Sequence, residues 1–283
     1  MFGGFFSNIQ SSSFQYTPFL ENLTVIPEFA WSVWQPHTSV ANCVRLRRSS
    51  DNSELDFGYV NGYVDVDSIA SWGGVDELYV VTFYGYNRTA TENTIGNQLQ
   101  WFNSGGVNNL AGYKIRRQGT SSSRYYLLSS PLLFQGEFTT ATTFHYTKDG
   151  SGTVHPTFYH VSTARYWINI NSTVTPEIRI VLTPNTPSYV TSYQPWSLND
   201  AHLIILERDS SGIIEYDYNN NIVNNSDLYA QDRNATHLFS RMDTYNDVPT
   251  FIGSEFVQGQ TKMTIEDKAQ FITDYNKRYN QSI

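Results

Sequence analysis

Three pairs of acidic residues two positions apart are the first candidates for chemistry in this sequence. A glycosidase needs two carboxylates across the sugar, about 5–5.5 Å apart for retention or roughly 6.5–9.5 Å for inversion. Residues i and i+2 of a strand share a face, and this spacing occurs at Glu54/Asp56, Asp65/Asp67 and Glu215/Asp217. Each pair lies in or near a predicted turn or on the outward side of a hairpin. We interpret them as solvated acids and predict no catalytic residue.

The histidines indicate neither a nucleophilic triad nor a zinc site. Six histidines are scattered along the chain, without a Gly-x-Ser-x-Gly elbow or a His-Glu-x-x-His helix. Acidic and amide side chains at 65–67, 149 and 199–200 could bind a structural calcium ion. Loop acids are common without a metal, however, so no cofactor is predicted. The single cysteine, Cys43, excludes an intramolecular disulfide.

The elements that must position these side chains are predicted to be strands. The 283 residues include 6 Trp, 20 Tyr and 17 Phe, which excludes a disordered chain and argues against a helix bundle. Runs of β-branched and aromatic residues alternate with Asn, Gly, Asp and Ser clusters. They predict strands at residues 80–84, 125–128, 139–146, 166–170, 178–182, 202–207 and 213–218. The last two form a hairpin around a turn at 209–212.

One helix is predicted near the carboxyl end. Thr264 and Asp267 resemble a capping box, because the hydroxyl can accept from a first-turn amide and the carboxylate lies at the positive end of the helix dipole. Ile265, Ala269, Ile272 and Tyr279 fall on one face at helical spacing. We expect this helix to brace one end of the sandwich.

The chain is predicted to contain an N-terminal extension, residues 1–40, and one β-sandwich domain, residues 41–283. Pro18 and Pro27 interrupt the extension, and Trp31 and Trp34 follow them. Such a segment is typical of an arm that docks on a neighbour, so we expect anchoring to other proteins and a homo-oligomer. Neither a signal peptide nor a membrane-spanning apolar run is evident. The net charge of -8 argues against nucleic acid as a partner.

Two stretches resemble known families. Residues 44–84, with Arg47-Arg48-Ser49-Ser50-Asp51 followed by Asp56-Phe57-Gly58, resemble the opening of a domain shared by the arabinofuranosidase B catalytic module and many bacteriophage structural proteins. The hairpin at 202–218, residues 251–256 and the terminal helix resemble the last third of concanavalin A-like lectin/glucanase and laminin-G-like sandwiches. The resemblance implies an all-β fold, an antiparallel two-sheet jelly-roll sandwich with an N-terminal extension and a short C-terminal helix.

The charged residues of the first stretch predict a structural clasp. Arg47, Arg48, Asp51 and Asp56 lie within ten residues, and a Ser-Ser-Asp-Asn turn can fold the acids back onto the guanidinium groups. Catalytic carboxylates are seldom surrounded by matched cations in a local turn. We therefore interpret the four residues as a loop-to-strand clasp.

A departure from the family pattern argues against hydrolysis. Where the resemblance implies Trp-Tyr-Asp-Gln-Ser-Gly, this chain has Phe83-Tyr84-Gly85-Tyr86-Asn87-Arg88, so glycine replaces the acid. The vicinal cysteine pair typical of the fungal hydrolases is also missing. Both differences predict a protein that is not an enzyme.

The same loop implies a glycan site. In the families that this chain resembles, the glycan site lies in this loop, and the candidates here are Tyr84, Tyr86, Asn87, Trp101 and Asn103. Aromatic rings stack on the apolar faces of sugars while amides bond the hydroxyls. The alternative is that the rings fill the core or a subunit interface, and that the asparagines supply turns.

Two functions follow as expectations. The first is a bacteriophage virion structural protein, such as a fibre, spike or capsid-associated subunit, that displays a lectin-like domain for host glycan attachment. It would assemble in the host cytoplasm and bind other virion proteins through residues 1–40. The second is a carbohydrate-active enzyme of the arabinofuranosidase type, or its binding module.

Overall fold

The structure is a computed structural model that describes residues 16–115, 126–147, 157–161, 164–171, 177–182, 188–192, 201–218, 221–228, 233–240 and 250–280. Its strands are β1 (Phe29–Ser32), β2 (Asn42–Arg48), β3 (Glu54–Val60), β4 (Tyr63–Val64), β5 (Leu78–Tyr84), β6 (Thr89–Thr91), β7 (Gln100–Phe102), β8 (Gly112–Ile115), β9 (Tyr126–Phe134), β10 (Phe138–Thr147), β11 (Thr157–Val161), β12 (Ala164–Asn171), β13 (Glu177–Leu182), β14 (Ser188–Ser192), β15 (Ala201–Arg208), β16 (Ile213–Tyr218), β17 (Asn221–Leu228), β18 (Arg233–Ser240) and β19 (Thr250–Gly259). The helices are α1 (Val66–Gly73) and α2 (Ile265–Tyr279), with 3-10 turns at 19–22, 95–97 and 107–109. Within these residues, no helix has the length and apolar character needed to cross a membrane.

Antiparallel pairing arranges most strands in two layers. The front layer has the order β3-β2-β5-β6-β9-β18-β11-β12-β13-β14. The back layer has the order β19-β10-β15-β16-β17, and both β1 and β8 pair with β19. Strand β7 pairs with β5 and with β8 and so joins the layers. The predicted all-β antiparallel sandwich with a C-terminal helix is confirmed, and the predicted hairpin is β15–β16.

Aromatic side chains fill the space between the layers. The ring of Trp31 packs edge-on against Phe83 at 4.7 Å between centroids, and Phe83 also contacts Tyr113 and Tyr126 at 5.2 and 4.9 Å. Such pairs contribute roughly 0.5–1.5 kcal/mol each beyond the apolar area they bury. This core therefore ties β1, β5, β8 and β9 together across the sandwich.

Strand β1 belongs to the sandwich, which corrects the predicted boundary at residue 40. Phe29–Ser32 pairs antiparallel with Gln258–Glu255 of β19. Trp31 is 1% exposed, and its indole N–H donates to the Cys43 carbonyl at 2.9 Å. The strand was missed because it has only four residues and its partner lies more than 220 positions away. An anchoring role for residues 1–40 stays a prediction, and residues 1–15 lie outside the described part of the chain.

Helix α2 begins where the sequence predicts, but of the predicted apolar face only Ile272 and Tyr279 are buried. The Thr264 hydroxyl accepts from the Asp267 amide at 3.0 Å, as an N-cap should. Ile265 is 85% exposed, whereas Phe271 and Tyr275 are buried. These rings form a second core against the outer face of the back layer, with residues of β10, β15 and β19. The helix thus covers a sheet face and does not brace an end of the sandwich.

Asp267 ties the N-terminal segment to α2. Its carboxylate accepts from the Thr24 amide at 2.8 Å, the Thr24 hydroxyl at 2.7 Å and the Val25 amide at 3.1 Å. Burial alone would raise the pKa of Asp267, but these hydrogen bonds outweigh burial and hold it below its ordinary value. The ionised carboxylate is therefore the form that the folded state favours.

We expect Asp267→Asn to lower the free energy of unfolding at pH 7 by about 1–3 kcal/mol, because bonds to a charged acceptor are lost. Because the pKa of Asp267 is lower in the folded than in the unfolded state, its ionised carboxylate stabilises the fold at pH values above the unfolded pKa of about 4. This contribution to the free energy of unfolding is lost as the pH falls through the folded pKa. The gap between wild type and variant in urea unfolding should therefore narrow as the pH falls below about 4. A gap that stays constant as the pH falls would contradict the assignment.

A buried ion pair fastens the end of α2 to the back layer. The Arg278 guanidinium donates to Glu255 at 2.8 Å, and the two side chains are 2% and 1% exposed. The hydroxyls of Ser32 and Tyr279 donate to the other Glu255 oxygen at 2.9 and 3.3 Å. Burial alone would lower the pKa of Arg278, but the charge and hydrogen bond of Glu255, together with Tyr16 and Tyr279, outweigh burial and hold this pKa above its ordinary value. The cluster joins β1, β19 and α2.

Candidate functional site

Three neighbouring strands of the front layer bring Arg45, Asp56 and Tyr84 together at its outward face. Arg45 of β2 stands opposite Asp56 of β3, so the two side chains share that face. Tyr84 ends β5, the other neighbour of β2. Each has a strand neighbour in the core: Val44 beside Arg45, Phe57 beside Asp56 and Phe83 beside Tyr84. We call Arg45, Asp56 and Tyr84 the outer patch.

The outer patch is held by three short hydrogen bonds. The Arg45 Nε and Nη2 atoms donate to the two oxygens of Asp56 at 2.7 and 2.9 Å, a bidentate pair. The Tyr84 hydroxyl donates to Asp56 Oδ1 at 2.8 Å. The Arg45 and Asp56 side chains are 41% and 33% exposed. The cluster is therefore rigid yet open to solvent.

The charges of the outer patch are fixed near neutral pH. The hydrogen bonds from Arg45 lower the pKa of Asp56, against burial and with help from Tyr84. Burial, and then the bond to Asp56, raises the pKa of Tyr84 to about 12. Asp56 is thus a permanent acceptor and Tyr84 a permanent donor. A general acid needs a carboxyl pKa raised toward neutrality, and Asp56 has the opposite shift.

The other predicted glycan residues do not join Tyr84 in one cluster. The Tyr86 ring packs on His37 at 4.8 Å, and its amide donates to the Ala30 carbonyl. Asn87 adopts a left-handed conformation with φ of 61° in the turn that follows. Asn is favoured at such a position, which is the alternative that the sequence left open for it.

Trp101 and Asn103 lie toward the opposite end of β5. Trp101 pairs with Leu78, six residues and so about 20 Å along the strand from Tyr84. The Trp101 side chain belongs to the core at 4% exposure, and its indole N–H donates to Asn103 Oδ1 at 2.8 Å. Its ring offers no face on which a sugar can stack, which corrects that part of the prediction.

Two separate contacts replace the predicted clasp of four residues. Arg48 and Asp51 form the bidentate pair that the turn suggested, at 3.2 and 2.6 Å. The buried Arg47 instead donates to Gln98 and Asn52. Asp56 pairs with Arg45, because the β2–β3 register places them opposite each other. Arg45 was missed in the sequence, although pairing β2 and β3 as a hairpin would have found it.

Gly85, the position at which the resemblance implied an acid, packs against strand β1. A Cβ atom on Gly85 would come within 2.3 Å of the Phe29 ring and 2.9 Å of the Ala30 carbonyl oxygen. The turn beyond it is closed by a hydrogen bond from the Gly85 amide to the Arg88 carbonyl at 3.0 Å. Close packing of β1 thus requires glycine here.

One member of each remaining acid pair has a structural partner. The Asp65 carboxylate caps α1, a helix that the sequence did not predict, by accepting from the Ser68 amide at 3.0 Å. Glu215 pairs with Lys262 and Lys268. Over the described ranges, no group of three or more His, Cys, Asp or Glu side chains is arranged to hold a metal ion. Residues 149 and 199–200, named as calcium candidates, lie outside those ranges.

Comparison with solved structures identifies the fold. The chain is similar to a mutant GH54 α-L-arabinofuranosidase soaked with 4-nitrophenyl α-L-arabinofuranoside, at a TM-score of 0.60. It is also similar to an arabinofuranosidase complexed with arabinofuranosyl-α-1,2-xylobiose, at 0.59. In both cases the identity is 9%, and the match covers 90% of this chain and 63% of the other. No protein-family model and no curated protein matches the chain.

The class defined by these comparisons is an antiparallel β-sandwich of the kind found in arabinofuranosidases. The chain spans less than two thirds of the length of those structures. At 9% identity the likeness shows the fold alone.

Proposed function

We propose that this chain is a glycan-binding protein and that the outer patch is its sugar contact. The observation that carries the proposal is the Arg45–Asp56–Tyr84 cluster, which is rigid, half-exposed and fixed in charge. Sugar hydroxyls are donors and acceptors at once, so they match a surface with both kinds of group. The Tyr84 ring adds an apolar surface beside them.

The outer patch keeps hydrogen-bonding capacity for a ligand. Each Asp56 oxygen has two acceptor sites, and Oδ2 receives only one bond from Arg45. The Arg45 Nη1 atom is not used in the pair with Asp56. A sugar with neighbouring hydroxyls can therefore accept from Arg45 and donate to Asp56 without breaking the existing pair.

Replacing Tyr84 with phenylalanine is expected to weaken glycan affinity about five- to tenfold, since one hydrogen bond that orders the acceptor is lost. Titration calorimetry with arabinofuranosyl-α-1,2-xylobiose, or with the tightest ligand on a glycan array, measures the change. Tyr79→Phe is the matched control, because Tyr79 lies on the same strand and its hydroxyl donates to the carboxylate of Glu77. Equal effects of the two substitutions, or no glycan bound by the wild type, would refute the proposal.

We propose a bacteriophage virion as the setting of this binding. The support is the resemblance of residues 44–84 to a domain of phage structural proteins, together with the acidic net charge of -8. In this setting residues 1–40 anchor the chain to other virion proteins or to symmetry-related copies. Light scattering after size exclusion should show a homo-oligomer. A strictly monomeric chain at micromolar concentration would count against assembly.

A glycoside hydrolase of the arabinofuranosidase type is the second candidate, favoured by the fold shared with those enzymes. The glycine at position 85 and the lowered pKa of Asp56 support the binding function instead. Incubation with 4-nitrophenyl α-L-arabinofuranoside separates the two candidates. Binding alone predicts no release of nitrophenol above the buffer rate, and steady turnover would favour the hydrolase.

A further inference from the structure

A groove of about 270 Å³ lies between the N-terminal segment and the last turns of α2. Tyr16 and Asn22 line one side, and Asp274, Lys277 and Arg278 line the other. We call it the helix groove. Helix α2 covers the outer face of the back layer, so the helix groove and the outer patch lie on opposite sides of the sandwich.

The Arg278 guanidinium is incompletely paired. Its Nη2 atom donates to Glu255, and its plane lies over the Phe19 ring at 4.1 Å. The Nε and Nη1 atoms are buried and have no hydrogen-bond partner within the described part of the chain. Buried donors almost always have an acceptor. A guanidinium with unpaired donors beside a groove therefore points to an oxygen-rich ligand.

The rest of the helix groove is a prearranged polar wall. Asp274 Oδ2 accepts from Asn22 at 2.8 Å and from Gln270 at 3.0 Å. Lys277 reaches Asp274 Oδ1 at 3.4 Å, is 54% exposed and keeps two N–H groups for other acceptors. The charged side chains that line the groove are the Lys277 ammonium, the Arg278 guanidinium and the Asp274 carboxylate. Two cationic groups beside one anionic group favour a ligand with a carboxylate.

We propose that the helix groove binds an acidic monosaccharide unit. Lys277 and Arg278 donate hydrogen bonds to its carboxylate, and the Asp274 carboxylate accepts hydrogen bonds from its hydroxyls. The volume is just below the range of about 300–1,000 Å³ typical of drug-sized ligands, which suits one sugar unit. Because Arg278 Nε and Nη1 are shielded from solvent, the carboxylate reaches them when the guanidinium turns toward the groove about Nη2, which keeps its bond to Glu255. The proposal does not depend on glycan binding at the outer patch.

The test is a titration of the full chain with D-glucuronate, D-glucose and acetate, followed by NMR of the arginine Nε–H signals. We expect glucuronate to bind saturably and to shift the Arg278 signal. Glucose, which lacks the carboxylate, and acetate, which lacks the hydroxyls, should each bind at least tenfold more weakly. Equal binding of glucose and glucuronate, or of acetate and glucuronate, would overturn the proposal.

Two variants locate the binding without touching the buried ion pair. Lys277→Gln should weaken glucuronate about tenfold, because a charge-assisted bond is lost. Lys262→Gln, just before the start of α2, is the matched control and should leave the affinity unchanged. Tyr84→Phe should also have no effect, which separates this site from the outer patch. A glucuronate affinity unchanged by Lys277→Gln would overturn the assignment.

Discussion

Replacing Glu255 with glutamine is expected to lower the free energy of unfolding by about 3–5 kcal/mol. The substitution keeps the shape but leaves the Arg278 charge, 2% exposed, without its counter-ion. Breaking a buried pair from one side is costly because the remaining ion stays desolvated. Few single substitutions in this chain should have a larger effect, since Glu255 also accepts from Ser32 and Tyr279.

Urea unfolding followed by circular dichroism measures this loss, with Glu54→Gln as the control. Glu54 is an exposed acid on β3, and its substitution should change the free energy of unfolding by less than about 0.5 kcal/mol. A Glu255→Gln protein as stable as wild type would show that the ion pair does not hold α2 to the back layer.

Replacing Gly85 with alanine is the second large effect, with an expected cost of about 3 kcal/mol. The added methyl group would lie 2.3 Å from the Phe29 ring and 2.9 Å from the Ala30 backbone oxygen. A side-chain rotation cannot relieve the contact with the backbone oxygen. Overpacking of this kind typically costs about 1–3 kcal/mol, occasionally more. An aspartate here would be worse, since its carboxylate would also be forced against β1.

The matched control is Gly96→Ala, because nothing lies within 4 Å of a Cβ at that position. We expect Gly96→Ala to be neutral or slightly stabilising, through the lower entropy of the unfolded chain. If both alanine variants kept wild-type thermal unfolding, then β1 would not be the reason for glycine at position 85. The loop would then be open to an acid after all.

The fold was largely predictable because alternation and turn residues are local signals. The hairpin of β15 and β16 and the start of α2 at Thr264 follow directly from such patterns. Strand β1 could not be predicted in this way, because four residues are too few to show an alternating pattern. Its strand conformation depends on pairing with the distant β19. Trp31 was therefore assigned to a subunit contact, whereas it fills the core.

The candidate site was predictable only in part. Tyr84 was found through its loop, and Asp56 through its charge, but as members of two different groups. What joins them is the register that sets Arg45 opposite Asp56, which depends on tertiary pairing. Trp101 was misplaced for a similar reason: a tryptophan in a three-residue strand gives no sign of which face is buried.

A crystal structure of the chain soaked with its tightest glycan from an array tests the central claim most directly. We predict an intact saccharide whose hydroxyls lie about 2.7–3.2 Å from the Asp56 carboxylate and the Arg45 guanidinium, with a sugar face against Tyr84. A saccharide bound elsewhere while the outer patch stays empty, or one cleaved in the crystal, would contradict it.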